Sequence, residues 1–166
     1  MAIEKERKFL YIGDHPVGFS LLCKKSQHIK QGYLMLEDGN ELRVRIISER
    51  SFYQNVVAGA LSAFLTYKQK ISKEERYEFE YEIPYPDGRM LFELAKYKLT
   101  KTRYKTEFKG NTVDIDFYPS GLKVVEIEFD DDLTELPDYC GEELTGNKEY
   151  SNIALAMSGK EYVEKF

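Results

Sequence analysis

Tyr77-Glu78-Phe79-Glu80-Tyr81-Glu82-Ile83 alternates without a break between large apolar side chains and glutamates. A period of two marks a β-strand, because successive side chains point to opposite faces. The strand this predicts, 75–84, carries one sign of charge along its polar face. Working outward, similar alternation recurs in 2–10, 30–36, 40–48, 62–70, 99–108, 111–118 and 122–130. Asp38-Gly39-Asn40, Lys109-Gly110-Asn111 and Pro119-Ser120-Gly121 fall at the joins, where tight turns favour residues that tolerate positive φ.

The remaining pattern is helical. Asp87 is placed to cap a helix carrying Met90, Leu91, Leu94, Ala95 and Leu99. A weaker helix follows Lys148, with Ile153, Ala154, Leu155 and Met157 as its apolar side, and the acidic stretch from Asp130 to Leu136 predicts another helical turn. Eight antiparallel strands with mostly short joins predict a meander that closes on itself. The expected fold is mainly β (α+β), a closed eight-stranded antiparallel barrel with a charged lumen and a few flanking helices. Closure removes the exposed edges and sets the first strand beside the last. The length of 166 residues suits one domain, 1–166.

The charged faces decide what such a barrel is for. Glu4, Glu6 and Lys8 share a face, as do Glu41, Arg43 and Arg45; Lys68 and Lys70; Glu78, Glu80 and Glu82; Lys101, Arg103 and Lys105; Asp114 and Asp116; Glu126 and Glu128. Any one of these could be a solvated face, but solvated faces mix signs and neutral polar groups. Two carboxylates about 6.6 Å apart on one strand repel by roughly 2.5 kcal/mol at an effective dielectric of ~20. Repetition of that cost calls for a hard cation on the carboxylates and a compact polyanion on the arginines and lysines. Closure would face Glu4 and Glu6 with Glu126 and Glu128, with Asp116 one strand further on. On this view Glu126→Gln relieves a repulsion and does not lower the stability of the metal-free protein. The apolar faces then point outward, to be covered by loops or by a second copy in a homodimer.

The formal net charge of −5 argues against a general nucleic-acid binder. No apolar run approaches the ~18 residues of a membrane span, and Met1 to Glu6 lacks a signal-peptide core, so a cytoplasmic protein is expected, with Cys23 and Cys140 reduced. Ser158-Gly159-Lys160 lacks the upstream glycine of a phosphate-binding loop. Asp114-Ile115-Asp116 opens like a calcium loop but meets Pro119 where glycine is required. His15 and His28 stand alone and are set aside. A hydrophobic-ligand barrel would need the opposite alternation.

Glu4-x-Glu6-x-Lys8 is followed in order by Gln31-Gly32-Tyr33-Leu34, Leu42-Arg43-Val44-Arg45, Leu65-Thr66-Tyr67-Lys68 and Glu78-Phe79-Glu80-Tyr81-Glu82-Ile83. Lys101-Thr102-Arg103-Tyr104, Val125-Glu126-Ile127-Glu128-Phe129, Gly141-Glu142-Glu143-Leu144-Thr145 and Tyr150-Ser151-Asn152 complete the series. This resembles the CYTH superfamily, the triphosphate tunnel metalloenzymes, across nearly the whole chain. The resemblance implies an eight-stranded tunnel binding a linear triphosphate. Lys8, Arg43, Arg45, Lys68, Lys101 and Arg103 would grip phosphates, with Lys70 beside them and Tyr33 at the tunnel mouth. Glu4, Glu6, Asp116, Glu126 and Glu128 would hold one or two Mg²⁺ or Mn²⁺ ions. Glu4, Glu6, Lys8, Lys101 and Arg103 form the implied catalytic set, with Glu78 and Glu80 placing metal or water. Compact bacterial members look like inorganic triphosphatases. Adenylate cyclisation, thiamine triphosphate, RNA 5′-triphosphate ends and non-catalytic polyphosphate or nucleotide binding remain open alternatives. Two departures stand out. Glu49 to Ala63 is a long connection, whose Phe52, Val56, Val57, Leu61 and Phe64 either extend the hairpin or form a helix that covers the barrel or a partner, a structural role being expected, and Asn147 replaces a common aspartate.

Overall fold

The computed structural model describes residues 2–14, 25–51 and 60–162. Strands run in order β1 (Ala2–Tyr11), β2 (Lys25–Glu37), β3 (Asn40–Ser51), β4 (Leu61–Lys70) and β5 (Glu75–Ile83), then β6 (Tyr97–Phe108), β7 (Asn111–Phe117), β8 (Lys123–Glu128) and a short β9 (Cys140–Glu143). Helix α1 (Tyr85–Leu94) links β5 to β6, and a 3₁₀ turn (Lys148–Tyr150) leads into α2 (Asn152–Ser158).

The strand order is β5-β4-β3-β2-β6-β7-β8-β1, and β1 pairs with β5 to close an eight-stranded antiparallel barrel. β1 makes closure possible by dividing one edge between two partners. Its first half pairs with β5, from Ala2↔Glu78 to Lys5↔Glu75, and its second half pairs with β9 at Phe9↔Glu143 and Tyr11↔Cys140. Its other edge pairs with β8, from Glu6↔Glu128 to Leu10↔Val124. First and last barrel strands are neighbours, as closure requires. The ring is not a single meander, however. Two meanders, β2–β5 and β6–β8, are joined through a β2–β6 pairing, because α1 carries the chain across the barrel before β6 begins. The β2–β3 and β6–β7 hairpins turn through Asp38-Gly39 and Lys109-Gly110, all four at positive φ, the geometry of a two-residue type I′ turn.

Both helices differ from expectation in their packed face. α1 starts at Tyr85, two residues before Asp87, with Pro86 in its first turn, and it ends at Leu94, leaving Leu99 in β6. Proline is tolerated there because a first-turn N–H has no helical acceptor. Its buried residues are Gly88 and Phe92, while Met90 and Leu94 face solvent. A Cβ at Gly88 would lie 2.3 Å from the Ala63 Cβ, and one at Gly32 would lie 2.6 Å from the Ala95 Cβ. These two absent side chains let α1 settle on the sheet with Phe92 against Val44 and Ile46. That close approach fixes which face is buried, overriding the bulkier side chains. α2 is capped by the Ser151 side chain, which accepts from the Ala154 N–H at 3.2 Å, and buries Leu155 and Ala156. Asp130 to Leu136 forms no helix; Leu133 packs on the outer core while its carbonyl accepts from Arg7 Nη1 at 3.3 Å.

The outward apolar faces are covered unevenly. Phe9, Val113, Ile115, Val125 and Ile127 form one outer core beneath Leu133, Tyr139 and Cys140. α1 covers another, and Tyr33, Leu99, Tyr118, Val124, Leu144 and Leu155 make an apolar plug against α2. On β4 and β5, Tyr67 and Phe79 stack half-buried while Tyr81 stays exposed. Cys140 is a free thiol, raised to about 11 by burial. Cys23, His15, Phe52, Val56 and Val57 lie outside the described residues, so the expected cover from the β3–β4 connection lies there too. No helix among the described residues is long and apolar enough to cross a membrane.

Candidate active site

Alternation along eight strands turns one set of charged side chains inward, where they line a cavity of about 1180 Å³. Glu4, Glu6, Lys8, Tyr33, Arg43, Arg45, Lys68, Lys70, Glu78, Glu80, Lys101, Arg103, Glu126 and Glu128 all border it. Asp116, alone of the expected residues, does not. It shares the inward face of Asp114 but is fully buried beneath Lys101 and Arg103. The lining extends from Gly39, Lys73 and Lys148 at one end to Lys105, Asp114 and Glu128 at the other. The α2 plug fills the first end on the β6–β8 side.

Across strands, neighbouring charges are of opposite sign far more often than along them. Lys101 Nζ donates to Asp116 at 2.7 Å, and Arg103 donates to both Asp116 oxygens at 2.7 Å. Arg103 also meets Asp114 at 2.9 Å and Glu126 at 3.2 Å. Lys8 lies 3.2 Å from Glu126, Lys68 bridges Glu4 at 2.9 Å and Glu78 at 3.3 Å, and Arg76 holds Glu6 at 3.0 Å. Much of the repulsion expected along each strand is therefore offset by the register between strands, which no single strand reveals. Burial would push Glu126 up, but Lys8, Arg103, Lys101 and Lys68 outweigh it and hold the carboxyl well below its usual range. Lys101 is lowered to about 8 by burial and by Arg103, against the pull of Asp116. Its Nζ also donates to Asn152 Oδ1 at 3.3 Å, which accepts from Tyr118 Oη at 2.5 Å.

Two places lack this compensation. Arg43 bridges Glu41 at 3.4 Å; burial would lower it, but Glu41, Tyr33, Glu78 and Glu4 outweigh that and hold it above its usual range. Arg45 instead lies 3.7 Å from Glu80, and the Nε of each, like that of Arg76, is buried without a partner. Burial, then Arg43 and Arg103, lower Arg45 to about 10. At the other place, burial together with Glu4, Asp114 and Glu6 raises Glu128 to about 7. Glu128, beside Glu4, Glu6 and Asp114, is an oxygen donor in surplus negative charge, the chemistry a hard divalent cation needs. Among the described residues, no three ligating side chains converge into a ready cage, because Glu4, Glu6 and Glu126 each turn to a lysine or arginine. The expected carboxylate wall exists in composition, but its members are held by counter-charges.

Arg76 and Gln31 are lining residues that sequence reasoning passed over. Arg76 was legible, since it precedes Glu78 by two positions and shares its face. Gln31 is neutral, and a search for charge misses it.

A closed antiparallel barrel with its charges inside and its apolar residues outside defines a small class of folds. The CYTH domain matches residues 2–154, and the chain belongs to that family. It is 31% identical over 165 residues to an inorganic triphosphatase of Acetivibrio thermocellus, covering 95% of this chain and 96% of that one. It is 32% identical to an inorganic triphosphatase of Nitrosomonas europaea, covering 93% and 97%. Among solved structures, the PH1012 protein of Pyrococcus horikoshii OT3 shares the fold. The TM-score is 0.53 and the identity 21%, over 78% of this chain and 80% of that one.

Proposed function

We propose that this chain is a metal-dependent triphosphatase that hydrolyses inorganic tripolyphosphate to pyrophosphate and phosphate inside its barrel. The observation that carries the reading is the presence, in one cavity, of an under-neutralised arginine, Arg45, beside Arg43, and an under-neutralised carboxylate, Glu128. A linear polyanion and a divalent cation would satisfy both at once. Two curated relatives of nearly the same length are named for this activity.

Arg43 and Arg45 bind phosphoryl oxygens through guanidinium faces that have unspent donors. Lys8, Lys68, Lys101 and Arg103 line the bore beyond them, fix the phosphate chain and stabilise charge on its equatorial oxygens. Lys70 borders the same cavity and takes part in entry, while Tyr33, buried in the apolar plug and not at a mouth as expected, helps seat the phosphate chain. Glu4, Glu6, Glu126 and Glu128 hold Mg²⁺ or Mn²⁺, with Glu78 and Glu80 orienting water nearby. Asp116, with both oxygens engaged by Lys101 and Arg103, positions those two side chains. Bound there, the cation supplies charge neutralisation and a polarised water. Attack by water on the terminal phosphorus forms one P–O bond and breaks the bridging one, with pyrophosphate as leaving group.

The deciding experiment incubates the purified protein with tripolyphosphate and with ATP, thiamine triphosphate and a 5′-triphosphorylated RNA, with and without each metal. Phosphate release and product identity are followed. Metal-dependent conversion of tripolyphosphate to pyrophosphate and phosphate is expected. Tight binding without turnover under Mg²⁺, Mn²⁺ or Co²⁺ would make the barrel a binding protein.

A further inference from the structure

We infer that Gln31 is a phosphate-contacting residue, a neutral donor held in place by Tyr33. The inference rests on the triphosphate reading of the cavity and adds to it a residue outside the charged set.

Gln31 is almost fully buried, at 1% exposure, yet borders the cavity. Across the β2–β3 pairing it stands opposite Arg45, and Tyr33 stands opposite Arg43. Directly opposed residues on one face have Cβ atoms about 5 Å apart and diagonal ones about 7–8 Å, so Gln31 stands next to Arg45 and diagonal to Arg43. On its other flank it faces Leu99 of the apolar plug. An apolar side chain would simply continue that plug. A buried amide with an unpaired atom costs about 1–3 kcal/mol, so its presence there points to a ligand.

The Gln31 Nε2 sits 2.6 Å from Tyr33 Oη in the donor position, which leaves Oε1 buried without a partner. The two ends of an amide differ only by a half-turn and are assigned through their partners. The Arg43 guanidinium stands beside Tyr33 Oη. Burial, then Glu41, raise the phenol above its usual range, so its own proton stays in place and needs an acceptor. Turning the amide over supplies one. Tyr33 Oη then donates to Gln31 Oε1, and Nε2 takes the place Oε1 held, a buried and unpaired neutral donor at the cavity wall. With an anion as occupant, this orientation is favoured over an amide oxygen aimed at phosphate.

The test measures tripolyphosphate binding in chelator by calorimetry, and turnover with Mg²⁺, for wild type, Gln31→Met, Gln31→Glu and Tyr33→Phe. Gln31→Met keeps the volume and removes both polar atoms. It is expected to weaken binding and raise KM roughly 10- to 100-fold, the range of one hydrogen bond to a charged group, with kcat nearly unchanged. Its ligand-free melting temperature should change little, since an unsatisfied amide atom is lost while the Tyr33 hydroxyl loses its partner. Gln31→Glu should bind more weakly still, because it sets a carboxylate against phosphate. Tyr33→Phe should fall between wild type and Gln31→Met. In wild type, the Gln31 side-chain amide resonance, assigned by its absence from Gln31→Met, should shift on adding tripolyphosphate. Unchanged binding in Gln31→Met, or binding by Gln31→Glu as tight as wild type, would overturn the inference. Failure of wild type to hydrolyse tripolyphosphate, with binding still lost in Gln31→Met, would remove the enzymatic reading and leave the contact standing.

Discussion

The two sides of the lumen are made of the same residue types and behave differently. Along β6, β7 and β8, Arg103 gathers Asp114, Asp116 and Glu126 while Lys101 takes the second Asp116 oxygen, all buried and all within 3.2 Å. Along β3, Arg43 and Arg45 keep buried Nε groups without partners, and at the mouth Glu128 stands among Glu4, Glu6 and Asp114. The first region is the more densely paired, although Lys101 within it is still lowered to about 8 by burial and Arg103. The second stores unmet charge, and that is where a ligand gains most. A charged side chain in a tunnel therefore reveals little by its type, and much by whether its neighbours have already neutralised it.

The contrast breaks most visibly at Arg103. Arg103→Ala would strand Asp114, Asp116 and Glu126 in a buried setting, and breaking such a network from one side costs about 3–5 kcal/mol. Urea unfolding of the metal-free protein should show that loss. A loss below about 1 kcal/mol would mean that the wall is solvated and the two regions are alike.

Arg43→Ala and Arg45→Ala should do the reverse. Each removes an incompletely paired charge, so ligand-free stability should change little, while tripolyphosphate turnover falls by about 10²- to 10³-fold, the scale of one lost charge-stabilising donor. Activity within tenfold of wild type in both would remove the phosphate clamp from β3.

Glu126 sharpens the comparison further, and here the sequence and the structure part company. Read strand by strand, Glu126 and Glu128 are equivalent repelling neighbours, and Glu126→Gln relieves strain. In the barrel, Glu126 faces Lys8 and Arg103, so the same substitution should destabilise the metal-free protein by about 1–3 kcal/mol. A group held below its usual pKa stabilises the fold above its unfolded value and loses that contribution as pH falls. The difference between Glu126→Gln and wild type should therefore shrink as the pH is lowered below ~4.5.

The alternation of β5 and the Asp38-Gly39 and Lys109-Gly110 turns were legible because strand period and turn chemistry are local. The inward charge followed from them, and so did the lining residues. Pairing between strands was not legible, since it depends on which strand sits beside which. β2 beside β6 and the division of the β1 edge are consequences of closure. For the same reason the salt bridges that occupy Glu4, Glu6 and Glu126 could not be read in advance. The packed face of α1 escaped because Gly88 and Gly32 act through side chains they lack.

The smallest expected effect falls on Glu128, and it tests the idea of unmet charge most directly. Its folded pKa is raised from 4.5 to about 7 by burial and by Glu4, Asp114 and Glu6. A raised acid contributes stability that is fully present below the unfolded value of 4.5 and lost as pH climbs through about 7. In chelator, Glu128→Gln and wild type should melt together near pH 4, and the variant should melt higher at about pH 8. Adding Mg²⁺ should then reverse the order, because a cation that binds only the folded chain stabilises wild type more than a variant lacking one of its ligands. Parallel melting curves at every pH would show that Glu128 is well compensated after all. The pH difference without a response to Mg²⁺ would show that its surplus charge serves something other than a metal.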